Sequence, residues 1–404
     1  MELEIDLTYP HIIRILVLES ELVTRPVVRF QQTIFSTLQS RHFYFITSKT
    51  LSELRSEPAT RAIMWELARK WSVLLVAVCV VLSLGNHKGE PGKDDYPFLE
   101  YDFYRDSCPQ AEKIIRTTVR DLFNVRPNVA PQLLRLVFHD CFIQGCDASL
   151  LLDAIDEIDS EKDAPPNHSL KGFHLIHTIK SKLEEVCPVT VSCADILALA
   201  AREGVVLAGG PFYRLKTGRR DSKLAFREIA SYELPSPDTS ISFIRESFSK
   251  RGFDEREIVS LLGAHTIGGV HCKFFENRLY DYLGTGRPDP SIEPEFLDVM
   301  RSRCRLKPSN SSTVMGLMAM NYEQASQSSF GTQYFQSLQL GRGILHVDQQ
   351  LMSCEGTRRW VHAYAADRYL FRKNFALSMT KLSSLHVLTP PLGQIRHNCS
   401  RIVV

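Results

Sequence analysis

The chain has 404 residues, is 44% hydrophobic and 23% charged, and carries a formal net charge of +2. That is ordinary globular composition, with enough apolar residues for a sizeable core. The near-neutral balance, with no long basic run and no G-x-x-x-x-G-K-[ST] loop, argues against nucleic-acid binding, attraction to anionic membranes and P-loop nucleotide chemistry.

Taken in chain order, the first landmark is WSVLLVAVCVVLSLG, residues 71–85. A membrane span needs about 20 apolar residues, and this run is too short for one. Its length suits the apolar region of a signal peptide. Met64, Arg69 and Lys70 just upstream supply a start and a positive flank. Residues 64–86 are therefore expected to be a signal-peptide-like segment, with translation beginning at Met64 and residues 1–63 an N-terminal extension of doubtful status. A signal anchor with a short N-terminal segment is the alternative. Residues 87–98, polar and rich in Gly and Pro, read as a linker. In a secreted chain the ten cysteines suggest disulfides rather than metal sites.

From residue 99 onward the pattern is helical. Ala111, Ile114, Ile115, Val119, Leu122 and Phe123 recur at helical spacing within 108–124, and Phe173, Ile176, Ile179, Leu183 and Val186 repeat it. Ser192 is placed to cap a helix over 193–205. Asp254 followed by Glu257 resembles a capping box before IVSLLGAH. A last long helix is expected over much of 359–383. The best strand candidate is FYRLKTG, 212–218. The fold class read from the sequence is all-α with at most a minor β-hairpin.

Within LLRLVFHDCFIQGCDASLLLD, residues 133–153, Arg135 and His139 lie four apart and share one helix face, surrounded by apolar side chains. Burying such groups without partners costs several kcal/mol, roughly, so the fold must satisfy them. A second histidine, His265, continues the buried stripe of Ile258, Leu261 and Leu262. Either feature alone suits a packing role. Together, an arginine and histidine on one helix and a histidine at the end of another suit a slot for a flat apolar cofactor with a metal at its centre. Asp140, Asp147 and Ser149 around a turn containing Gly145 also offer oxygen ligands suited to calcium, though in no EF-hand pattern.

These two segments resemble the distal and proximal haem signatures of the secretory (class III) plant peroxidases, the horseradish peroxidase family. The resemblance runs from about Tyr101 to Cys399 and includes FYRDSCPQAE, SEKDAPPN, CPVTVSCADILALAAR, GRRDS, ELPSP, VDQQL and GQIRHNC. It implies a helical fold over 99–404, with a distal lobe at about 99–238 and a proximal lobe at about 239–404 sandwiching haem b. His265 is then the proximal iron ligand and Asp348 its partner. His139 is the general acid–base group and Arg135 the electrostatic stabiliser. Asn167 orients His139, Phe138 helps wall the pocket, and Pro235 stands beside the donor entrance.

Around the distal turn the resemblance adds the carbonyls of Asp140, Ile143 and Gly145, and Glu161, to the calcium set. The proximal calcium site departs from the family. Thr266 matches, but Glu323 and Ser326 stand where aspartate and threonine are usual, and Gly331 replaces another aspartate. Weak or absent calcium is expected there. Asn167 also begins the sequon Asn167-His168-Ser169, and a glycan there conflicts with a bond to His139. The bare asparagine is the expectation, with Asn310-Ser311-Ser312 the better glycan site.

Eight cysteines alone leave 105 pairings. The resemblance implies Cys108–Cys187, Cys141–Cys146, Cys193–Cys399 and Cys272–Cys304, leaving Cys354 over. The implied function is a secreted, monomeric peroxidase of the cell wall or vacuole. It would reduce hydrogen peroxide and oxidise small phenolic donors in one-electron steps, with no nucleic-acid partner and no membrane span in the mature chain. The rival readings are a haem-retaining wall protein of little turnover and a cytosolic ascorbate-type peroxidase.

Overall fold

The computed structural model describes residues 99–155, 159–306, 314–320 and 330–403. The expected extension, signal-like segment and linker therefore lie outside the described residues, as do Glu323, Ser326 and the Asn310 sequon.

Helix α1, Ala111–Val125, buries Ala111, Ile115, Thr118 and Val119 on one stripe. It ends at Arg126, which is extended, as expected of a residue preceding proline. Helix α2, Val129–Phe142, follows at once and is buried around most of its girth. Helix α3, Phe173–Val186, and helix α4, Cys193–Leu207, pack against this pair. Ser192 caps α4 by accepting from the Asp195 N–H. The Ala- and Gly-rich face of α4 lets α2 come close: a Cβ on Gly204 would sit 3.2 Å from Cα of Ala130. The arrangement puts the face carrying Arg135 and His139 at the edge of the core.

After α5, Arg227–Glu233, and α6, Ile241–Lys250, comes α7, Glu255–Leu262. Its N-terminus carries the reciprocal capping box of Asp254 and Glu257. The chain then tightens into a 3₁₀ turn, Gly263–Thr266, that presents His265. Glycine is required at 263 because a Cβ there would meet the Phe371 ring at 2.5 Å. Helices α8 (Glu276–Tyr280), α9 (Pro294–Arg303), α10 (Gln333–Gln339) and α11 (His346–Gln349) complete the middle.

The expected single helix over 359–383 is instead two, α12, Glu355–Ala366, and α13, Arg368–Leu382. Asp367 adopts an extended conformation and its carboxylate caps Leu370 N–H, which ends one helix and starts the next. The strand expected at 212–218 also does not form. Tyr213, Leu215 and Thr217 do alternate inward, but a single bridge from Thr217 to Glu100 is the only β pairing of this segment. Among the described residues the strands are β1 (Gly269–His271), paired with β4 (Leu317–Ala319), and β2 (Arg305–Leu306), paired with β3 (Val314–Met315), all short and antiparallel.

Residues 95–404 form one compact unit. The C-terminal tail binds its early elements: Cys146 N–H donates to Leu385 O at 3.0 Å, and the buried Arg219 guanidinium bonds to Ser383 O. Disulfides join Cys108–Cys187, Cys141–Cys146, Cys193–Cys399 and Cys272–Cys304. Cys354 is free and half-buried. The Cys193–Cys399 link closes a 206-residue separation, which in the chain-entropy view contributes about 5 kcal/mol.

Candidate active site

Helix α2 sets Arg135 and His139 one turn apart, and Arg135 Nε donates to His139 Nε2 at 3.2 Å. The other guanidinium nitrogens reach the Ser169 hydroxyl at 3.0 Å and the Pro166 carbonyl at 3.2 Å. His139 Nδ1 lies 2.6 Å from Asn167 Oδ1. Asn167 Nδ2 donates to the Glu161 carbonyl at 2.8 Å, which fixes the oxygen end of the amide towards the imidazole. Nδ1 must then carry the proton, and the Nε2 lone pair is the one that accepts from Arg135 Nε. Burial and the adjacent Arg135 charge lower the His139 pKa to about 3, which keeps the ring neutral.

Asn167 is 2% exposed, and its amide is bonded at both its oxygen and its nitrogen. Phe138 stands beside His139 at 5.8 Å between ring centroids and stacks towards Phe142 and Phe248. Pro235, just after α5, is half-buried.

The 3₁₀ turn after α7 presents His265, whose Nδ1 is 2.7 Å from Asp348 Oδ1. Asp348 belongs to α11 and is itself 1% exposed. The His265 side chain keeps 39% of its surface open although protein encloses it, and Arg135 combines surrounding protein with an exposed side chain in the same way. Burial lowers the Arg135 pKa to about 10. For His265 burial also acts downward, but the Asp348 carboxylate outweighs it and raises the pKa overall, against a smaller opposing effect from Arg135. The Arg135 charge thus reaches the His265 ring. This arrangement fits a flat group whose central metal takes His265 Nε2.

Beside His139, Asp140 is fully buried and accepts from the N–H groups of Ala148 and Leu150 at 3.1 and 3.4 Å. Asp147 accepts from Ser149 N–H at 3.0 Å. Glu161 takes the Phe226 N–H on Oε1, whereas its Oε2 and the neighbouring Ser149 hydroxyl are buried without a hydrogen bond of ordinary geometry. Burial raises the pKa of Asp140, of Asp147 to about 6, and of Glu161 to about 7; Asp147 and Glu161 also repel Asp140, Asp221 repels Asp147, and Asp147 repels Glu161. Ile143 and Gly145 lie in the same turn. Among the described residues no three His, Cys, Asp or Glu side chains converge on one point, so a cation here draws on carbonyls and a hydroxyl as well. On the proximal side Thr266 donates to Gly331 O at 3.3 Å.

Two features escaped the sequence. Ser169, read only as part of a sequon, anchors Arg135. Tyr334, on α10, donates its hydroxyl to Asp348 Oδ1 at 2.8 Å; it stands 14 residues before Asp348, a spacing with no local structural meaning.

The Peroxidase family profile matches residues 115–367. An Arabidopsis thaliana protein provisionally named Peroxidase 48 is 51% identical over 336 residues, covering 76% of this chain and 83% of the relative. Peroxidase 57 of the same organism is 45% identical, covering 75% of this chain and 92% of the relative. Peroxidase 9 is 42% identical, covering 76% and 88%. With the helical architecture and the paired slot residues, these similarities show that the chain belongs to the class III plant peroxidase family.

Proposed function

We propose that this peroxidase holds haem b between α2 and the 3₁₀ turn, with His265 Nε2 on the iron and Asp348 behind it. The observation that carries the reading is the Asn167–His139 bond, which leaves His139 Nε2 as a neutral acceptor beside a guanidinium. When bound, the haem supplies the electrons that cleave the O–O bond and afterwards draws single electrons from donors.

His139 Nε2 accepts the first peroxide proton and returns it to the departing oxygen, which leaves as water. Asn167 holds the other proton on Nδ1 throughout. Arg135, desolvated and tied to Ser169 and Pro166, faces the negative charge that develops as the bond breaks. Asp348 accepts the Nδ1 proton of His265, orients the ring and strengthens it as a donor to the metal. Phe138 lines the distal wall, and Pro235 stands beside the route for donors.

The buried oxygens of Asp140, Asp147 and Ser149, with the carbonyls of Asp140, Ile143 and Gly145, would hold one calcium ion, and Glu161 would support it. Three buried acids with raised pKa values favour a neutralising dication there. The proximal side, with Gly331 bonded to Thr266 through its carbonyl, would bind calcium weakly or not at all.

The physiological setting we infer is outside the cell or in the vacuole, with hydrogen peroxide and small phenols as substrates and a monomeric enzyme. The disulfides support an oxidising compartment. Among the described residues no helix is long and apolar enough to cross a membrane.

The test is expression from Met64 with secretion, followed by a Soret spectrum and guaiacol turnover. A ferric haem band and turnover that disappears in His139→Ala are expected. A haem band without turnover in the unaltered protein would sink the catalytic assignment.

A further inference from the structure

Asp348 Oδ1 receives two donors, His265 Nδ1 at 2.7 Å and the Tyr334 hydroxyl at 2.8 Å. Its second oxygen, Oδ2, is buried and makes no hydrogen bond. Tyr334 is 6% exposed and meets the His265 ring edge-on, with centroids 6.2 Å apart. Tyr334 is held from behind by Phe335, whose ring lies 5.0 Å away and packs in turn on Phe371 and Tyr364. The hydroxyl therefore has one fixed position, on the same oxygen that serves the histidine.

A carboxylate that accepts two hydrogen bonds on one oxygen has less charge to offer either donor. We propose that Tyr334 is a positioning residue that sets the electron-donating strength of His265, by competing for Asp348 Oδ1. Without the phenol the carboxylate pulls harder on the Nδ1 proton, the imidazole gains anionic character, and ferric iron is favoured over ferrous. With it, the pull is moderated. The inference rests on the reading that His265 ligates the haem iron.

The competition makes opposite predictions for two replacements of similar shape. Tyr334→Phe removes the donor. 3-Fluorotyrosine at position 334, introduced by amber suppression, keeps it and makes it more acidic. In the purified holoenzyme, Tyr334→Phe should favour the ferric form by about tenfold at fixed potential, or about 59 mV downward for a one-electron couple. The iron–histidine stretch of the ferrous form should rise in frequency. Fluorotyrosine should move both quantities the other way.

If the Phe variant fails to fold, the fluorotyrosine protein decides alone, since its volume is nearly unchanged. Identical potentials and stretches in the variants and the parent would overturn the proposal. So would a shift of the same sign from both replacements, which would indicate packing rather than hydrogen bonding. Absence of an iron–histidine stretch in the unaltered protein would overturn the ligand assignment itself and the inference with it.

Discussion

The positive charge of the Arg135 guanidinium reaches the His265 imidazole and acts to lower its proton affinity. They come from helices more than a hundred residues apart in the chain, yet each keeps open surface in an otherwise enclosed interior.

The Asn167–His139 bond yields the first prediction. Asn167→Ala frees Nδ1 and lets the ring take the wrong tautomer. The bimolecular rate with hydrogen peroxide should fall by about 10- to 100-fold, as is typical when a supporting hydrogen-bond partner is removed. His139→Ala should cost more, about 10²- to 10⁴-fold. Stopped-flow mixing with peroxide measures both, and equal rates in Asn167→Ala and the parent would remove the tautomer argument.

Arg135→Leu tests the electrostatic contribution. Losing one donor aimed at developing charge costs about 10²- to 10³-fold in rate. The same variant should leave the proximal bond between His265 and Asp348 intact, so the ferric spectrum of the resting enzyme should change far less than the rate. A rate within threefold of the parent would contradict the role given to Arg135.

The pH response follows from His139. Its folded pKa is depressed to about 3 from an ordinary 6.5, with burial the main cause. The sign is therefore that of a folded state that refuses a proton the unfolded chain accepts. Stability from this group is full above pH of about 6.5 and is lost as pH falls towards about 3, at up to about 1.4 kcal/mol per pH unit. Comparing denaturation midpoints of the parent and His139→Leu from pH 7 down to about 4 isolates this contribution. The parent should lose its advantage as the solution acidifies.

Calcium removal should act through the turn after α2. At a free concentration about 100-fold above its dissociation constant, one bound ion contributes about 2.7 kcal/mol. Chelation should lower the melting temperature by several degrees, and Asp147→Ala should abolish the response to added calcium. Metal analysis should return close to one ion per protein; two tightly held ions would contradict the weak proximal site.

Tryptic mapping should find Asn167 unmodified in protein from a glycosylating host. Its amide is 2% exposed and both ends are bonded, so a glycan could be attached only before folding and would block the bond to His139.

Much of the site was legible because short, local rules governed it. Arg135 and His139 are four apart on a helix, and the Asp254–Glu257 capping box fixes the start of α7, which ends next to His265. The long-range partners Asn167, Asp348 and the four cysteine pairs were legible only through resemblance, since no periodicity links positions so distant. What the sequence hid was decided by tertiary contact. The break at Asp367 depends on a carboxylate choosing to cap a helix rather than continue one. The alternation of 212–218 is real, but a strand needs a neighbour and this segment pairs at one residue. Tyr334 lies on a helix face like any core tyrosine until the fold brings Asp348 to its hydroxyl.

The turn that follows α2 has a consequence for the order in which the protein can be completed. Gly145 takes a φ of +129°, and a Cβ there would strike the carbonyl of His386 at 2.5 Å. Cys146 N–H is held by Leu385 O, and Cys193 is bonded to Cys399. His139 and Asn167 leave the ribosome long before the backbone of residues 385 and 386, which clasps the turn beside them. A nascent chain stalled before residue 385 would carry Arg135, His139 and Asn167 and still lack the clasp, so this turn closes only after residues 385 and 386 have emerged.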